Sequence, residues 1–209
     1  MRKVDHNSRR EEIAAAAAQL IAEQGLNALT TRALAKRMSC SIGVLSHYFE
    51  SKDDIVLAAF NWADARIDSR VAEAVAKEGP EIDSFIPLIL AALPINEEAD
   101  LEWKVRFNLF TYAFTEPQLL KIQREKIKGL EKLLTGVIGD MQSDNKIRQD
   151  FKAEYMTFMA FDLVMGLAQN LLMLPVSERE ARAEYMLSLF APLQAGASLR
   201  KGGSLRVVN

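Results

Sequence analysis

The 209-residue sequence predicts an all-α fold: a small three-helix N-terminal domain joined to a larger helical one. Three observations predict it. Apolar residues recur at helical spacing along nearly the whole chain, and no alternating strand pattern interrupts them. Glycines and prolines are few, ten and six, and mostly stand at the edges of the periodic runs. Short hydroxyl residues open several of those runs, where a helix needs a side-chain acceptor for its free N–H groups. About nine helices result, at roughly 8–24, 31–38, 42–48, 52–78, 81–93, 100–115, 118–142, 148–174 and 177–193. Residues 1–52 form the small domain, residues 53–193 the larger one, and 194–209 a patternless tail expected to be disordered.

The first helix places Ile13, Ala17, Leu20 and Ile21 on one face. Gly25 follows where a helix stop belongs. Leu26 and Leu29 lead into "TTRALAKRM", which Thr30 can cap and which buries Leu34, Ala35 and Met38. "SCS" makes a turn, and Ser41 can cap a third helix running to about Tyr48. "ESKDD" opens a fourth, with Ser51 as cap and Asp54 as its reciprocal partner. Short helices on either side of a tight turn, over about residues 31–50, are a helix–turn–helix layout.

Charge divides unevenly. Residues 1–52 hold eight Lys and Arg against five Asp and Glu, or +3, which leaves −5 for the rest of a chain of net charge −2. A basic head on an acidic body points to a polyanion partner. Cys40 is the single cysteine, so neither an internal disulfide nor a cysteine-cluster metal site is available. This fits a reducing cytoplasm. "MRKVDHNSRREE" is too polar for a signal peptide, and "MTFMAFDLVMGLAQNLLML" is broken by Asp162, Gln169 and Asn170. It reads as a buried helix, not a membrane span.

The segment "SCSIGVLSHYFESKDDI", residues 39–55, carries the chemistry. A helix that reads base edges needs a short exposed face, and Gly43 permits close backbone approach. Ser41 at the helix N-terminus aims N–H groups and a hydroxyl at phosphate, where the helix dipole favours an anion. His47 and Tyr48 reach neighbouring phosphates, and Lys52 adds a positive charge at the same edge. Thr31 can place its hydroxyl on phosphate from the other side. Leu45 and Phe49 face inward. Taken singly, each residue also has a plain structural role; the constellation after a capped helix and a small-residue turn favours the nucleic-acid role.

"TTRALAKRMSCSIGVLSHYFESKDDIVLAAF" closely resembles the DNA-binding head of the TetR family of bacterial transcriptional regulators. The threonine pair, the alanine-rich second helix, serine–x–glycine, the aromatic–phenylalanine pair and the lysine opening helix four carry the resemblance. Within the family, "GVLSHYF" is most similar to the choline-responsive repressor branch. Two positions depart from the family pattern: Ser46, where an aromatic is commonest, and Met165, where many members have aspartate.

The resemblance implies a homodimer binding a palindromic operator as a repressor, released by a small-molecule effector in a C-terminal ligand-binding and dimerisation domain. By matching positions, Thr31, Ser41, His47, Tyr48 and Lys52 would contact phosphates, and Ile42, Gly43, Val44 and Ser46 would face bases. Ile42 and Val44 offer only apolar contact. Further specificity would come from Arg32, Lys36 or Arg37, or from DNA shape; Arg37 fits a solvated surface charge equally well.

In the body, Trp103, Phe107, Phe110 and Phe114 form one aromatic stripe. Periodicity alone assigns it to the core. The resemblance places a ligand cavity beside it, with Trp62 as a further wall, for an apolar or quaternary-ammonium ligand. Helix eight is apolar nearly all round, so it is expected to be buried on two sides, one against a second subunit together with helix nine and its Met186, Leu187, Leu189 and Phe190. Asp162, Gly166 and Gln169 share a stripe of helix eight. Asp162 either pairs across the dimer or lines the cavity with Gln169.

Two other classes compete: an enzyme carrying a helix–turn–helix head, and a helical adaptor. The only histidines, His6 and His47, lie in the head. The body therefore offers no nucleophile–histidine pair, no metal cluster and no glycine-rich phosphate loop. No catalytic residue, metal or cofactor is assigned.

Overall fold

The computed structural model describes residues 6–78 and 86–188. Among them are α1 (His6–Gln24), a 3-10 turn (Leu26–Ala28), α2 (Thr31–Arg37), α3 (Ile42–Tyr48), α4 (Lys52–Glu78), α5 (Ile86–Ala92), α6 (Glu97–Ala113), α7 (Pro117–Ser143), α8 (Ala153–Leu171) and α9 (Val176–Ser188). No strand occurs among the described residues. The expected helix stretches 81–85 and 189–193, with Leu189 and Phe190, and the tail 194–209 lie outside them.

The local signals act as their chemistry dictates. Gly25 ends α1 at φ +79°, a left-handed conformation that costs glycine nothing. The Thr30 hydroxyl accepts from the Ala33 N–H at 3.0 Å and that of Ser41 from Val44 N–H at 3.4 Å. Ser51 and Asp54 cap α4 reciprocally, at 3.1 and 3.2 Å. Between α2 and α3 the chain turns at Ser39, at φ +51°, and the Cys40 N–H returns to the Ala35 carbonyl at 3.0 Å. That is a helix C-cap normally built on glycine.

Two boundaries differ from expectation. Helix six starts at Glu97 rather than about 100, because Asn96 caps it by accepting from the Ala99 N–H at 2.9 Å. Helix eight starts at Ala153 rather than 148. The preceding segment is held non-helical by Gln142, whose amide donates to the Arg148 and Phe151 carbonyls at 2.9 and 2.8 Å, while Ile147 is buried. Asn145 turns the chain there at φ +56°.

Apolar side chains gather in three clusters. The largest holds Ile13, Ala17, Leu20 and Ile21 of α1, Leu34, Leu45 and Phe49, and Ile55 to Ala63 of α4. It continues into Val105, Leu109 and Ala113 of α6 and Leu119 of α7, so the head packs directly on the body. The second joins Ile67, Leu93 and Trp103 to Leu167, Leu171, Ala183 and Leu187. The third pins the α7–α8 turn through Ile138, Met141, Ile147 and Met156. Each fully buried large side chain contributes about 1.5–3 kcal/mol.

Buried charge is paired. Glu102 is fully buried on α6 and accepts from Arg66 Nε at 2.9 Å, with Arg70 at 2.5 Å. Arg179 on α9 reaches Asp100 at 2.8 Å and the Pro94 carbonyl at 3.0 Å, locking α9 to the start of α6. No described helix is long and apolar enough to cross a membrane.

Candidate nucleic-acid interface and body cavity

α3 is anchored from one side only. Leu45 and Phe49 are buried, while Ser41, Ile42, Gly43, Ser46 and His47 are exposed. A Cβ on Gly43 would meet only the Ser41 hydroxyl, at 3.7 Å, so nothing inside the chain requires glycine there. Val44 is half-buried and offers only part of its surface outward. The Ser46 hydroxyl donates to the Ile42 carbonyl at 3.2 Å. Thr31, next to the cap Thr30, and Lys52, the first residue of α4, are both exposed.

The C-terminal end of α3 carries a feature absent from the sequence reading. Arg10, on α1, donates to the Tyr48 carbonyl and lies over the Phe49 ring at 4.2 Å. A cation at a helix C-terminus complements the dipole. His6 packs against Tyr48 with ring centroids 4.8 Å apart, and His47 against Tyr48 at 5.0 Å. Arg10, Ser46, His47, Tyr48 and Glu50 surround a notch of about 350 Å³. The signal for Arg10 is its basic side chain three residues before the buried stripe that starts at Ile13, but its partner lies thirty-eight positions away.

Arg37 does not face outward as a free reader. Its guanidinium grips Glu23 with both nitrogens, at 2.8 and 2.7 Å, and reaches Gln19 at 3.2 Å. These hydrogen bonds, donated by Arg37 to the Glu23 carboxylate, push the Arg37 pKa up and pull the Glu23 pKa down. Arg32 and Lys36 stay exposed.

A cavity of about 640 Å³ opens between α6, α7 and α8. Phe107, Phe110 and Phe114 line it, joined by Phe161 and Met165, with Gln169 and Gln123 among its polar groups. Two expected wall residues lie elsewhere. Trp103 is 1% exposed and its indole donates to the Ala92 carbonyl at 2.7 Å, so it is core. Trp62 sits under Arg66, 5.0 Å from the ring centroid, outside the lining. Asp162 is exposed on α8 and also outside the lining. Asn108 touches both regions: it lines the cavity and accepts from the Leu26 N–H of the head at 3.2 Å.

Residues 13–59, which span α1 to the first turns of α4, match the family of bacterial regulatory proteins described as tetR. Along 89% of both chains, the sequence is 23% identical to the HTH-type transcriptional regulator PksA of Bacillus subtilis. A transcriptional regulator from Rhodococcus sp. Rha1 superposes with a TM-score of 0.74 at 25% identity, over 86% of this chain and 92% of that one. Residues 13–59 thus form a head of the TetR type.

Both of those relatives are transcriptional regulators. A transcriptional regulator from Saccharomonospora viridis solved in complex with choline has a similar fold and superposes with a TM-score of 0.73 at 20% identity. It covers 87% of this chain and 96% of that one. The matched segment contains all of α2 and α3, so the exposed face of α3 lies within the part of the chain that resembles the family.

Proposed function

We propose that this regulator is an effector-responsive repressor that binds a palindromic operator as a homodimer. Residues 1–52 read DNA, and residues 53–193 bind the effector and dimerise. The observation that carries this is α3 itself: a capped helix, anchored by Leu45 and Phe49, whose opposite face nothing among the described residues covers. Ile42, Gly43, Val44 and Ser46 meet base edges. Thr31, Ser41, His47, Tyr48 and Lys52 meet phosphates. The cavity lined by Phe107, Phe110, Phe114 and Gln169 is the effector site, and its volume lies within the range of small-molecule pockets. The outward faces of α8 and α9 form the subunit interface, with Asp162 on that side.

Selection of random duplex DNA by the purified protein, read by sequencing, tests this. A palindrome with half-sites about one helical turn apart, ~10 bp or a multiple, is expected. Failure to enrich any sequence, with protein that is folded and freed of ligand, would remove DNA reading from the head.

A further inference from the structure

Gln123 stands on the buried face of α7 between Leu119 and Ile127, one helical turn from each. It is 4% exposed, and its side chain lines the cavity. No donor or acceptor among the described residues meets its amide. The amide atoms are not shut off from solvent, so the small exposed part of Gln123 is where a bound molecule could meet them. An amide with no protein partner at the wall of a mostly aromatic and aliphatic cavity is free to bond a ligand there.

The charges around it are of one sign. Arg124, adjacent to Gln123, lines the same cavity, is exposed and has no ion-pair partner among the described residues. Lys104, the other cation of the lining, is already held by Asp100 at 2.7 Å. No aspartate or glutamate belongs to the lining. Phe107, Phe110, Phe114 and Phe161 supply faces that would suit a cation. With no carboxylate to neutralise it and an unpaired guanidinium beside it, however, a cationic ligand is repelled where an anionic one is held.

Resting on the reading of this cavity as the effector site, we propose that the effector is an apolar monocarboxylate. Its hydrocarbon body lies against the phenylalanines, and its carboxylate is held by the Gln123 amide N–H and the Arg124 guanidinium. A straight acyl chain and an aryl acid share this chemistry. A quaternary ammonium of the choline type does not fit it.

The test uses the full-length protein and four probes below micellar concentration: decanoate, 4-phenylbutyrate, decanamide and decyltrimethylammonium. Calorimetric titration should give decanoate or phenylbutyrate an affinity at least tenfold above decanamide, with the ammonium weaker still. Which acid binds better separates the chain from the ring. Arg124→Gln should collapse the acid-over-amide ratio. Gln123→Leu should weaken acid binding while leaving the ligand-free Tm equal or higher, because no hydrogen bond within the described residues is lost. A merely structural Gln123 would instead lower the Tm and leave the ratio alone.

An ammonium that binds as tightly as the acid, an unchanged ratio in Arg124→Gln, or binding of none of the probes overturns the assignment. The regulatory reading is scored separately on the selected operator. An ammonium that binds and releases DNA sinks the carboxylate and leaves the effector-responsive regulator standing. An acid that binds without changing operator affinity does the reverse.

Discussion

At the scale of single residues, Lys52 and Gly43 have no internal task that explains them. Lys52 opens α4 exposed, beside Asp53 and Asp54 in the same first turn, where a cation is unfavourable to the helix dipole. A phosphate at that edge gives it a reason to be there. Lys52→Ala is expected to weaken binding to every DNA sequence alike and to lower the slope of log K against log salt by ~1. An unchanged slope takes Lys52 off the phosphate. Gly43 has open space outward, so Gly43→Leu should fold, with a Tm no lower than the parent's given leucine's better helix propensity. The added side chain would stand between α3 and the groove. Operator binding should be lost, and binding that survives would show that α3 does not approach so closely.

At the scale of elements, legibility in the sequence followed the range of the interactions. The head helices end where sequence chemistry says, because Thr30, Ser41, Ser51 and Gly25 act on backbone within four residues of themselves. The start of α8 was misjudged because Gln142, on the previous helix, holds the 148–151 carbonyls out of helical register. The stripe from Trp103 to Phe114 was visible, but not that α6 rolls from core to solvent along it: Trp103 is 1% exposed and Phe114 76%. Gln123 escaped notice because a glutamine at a buried position looks from sequence like an ordinary helix former. The charged layer between α4, α6 and α7 was equally invisible, since Asp64 lies far in sequence from Arg106 and Lys126, 3.5 and 3.3 Å away. Burial raises the Asp64 pKa, and Arg106 and Lys126 only partly oppose this. The folded state thus holds the Asp64 proton more tightly than the unfolded chain. Stability from this group is full below its ordinary value near 3.8 and declines as pH rises through the raised one. Asp64→Asn cannot ionise, so its stability relative to the parent should climb as pH rises from about 4. Parallel Tm profiles for the two proteins would show that Asp64 does not titrate differently in the fold.

At the scale of the whole molecule, one face of α8 lacks a partner among the described residues. Tyr155, Phe158 and Met159 are 56%, 47% and 42% exposed, and Tyr185 of α9 is 62% exposed. Asp162 and Gly166 continue the same face, and a Cβ on Gly166 would meet nothing within 4 Å. The opposite face of α8 is committed: Leu167, Ala168 and Leu171 are sealed against Trp103 and α9. A contiguous apolar strip with a bare glycine in it suits a second helix packed closely across it, and exposed patches of this kind mark association surfaces. A stable pair of subunits buries about 800 Å² on each. Dimerisation matters beyond solubility, because two tethered heads turn the second half-site contact into an intramolecular event and multiply affinity by about 10²–10⁴. Phe158→Glu should therefore separate two quantities. Sedimentation should report monomer, because the twofold brings each new carboxylate into the same apolar strip as its symmetry mate. The helix content and thermal transition of the head should persist, since its core runs through α1, α4 and α6 and does not include α8. Binding to a single half-site should be unchanged while binding to the full palindrome falls toward it. A dimer that survives Phe158→Glu would place the interface on another face. Monomers that still bound the palindrome with parental affinity would show that the heads act independently, and the strip on α8 would then need a different occupant.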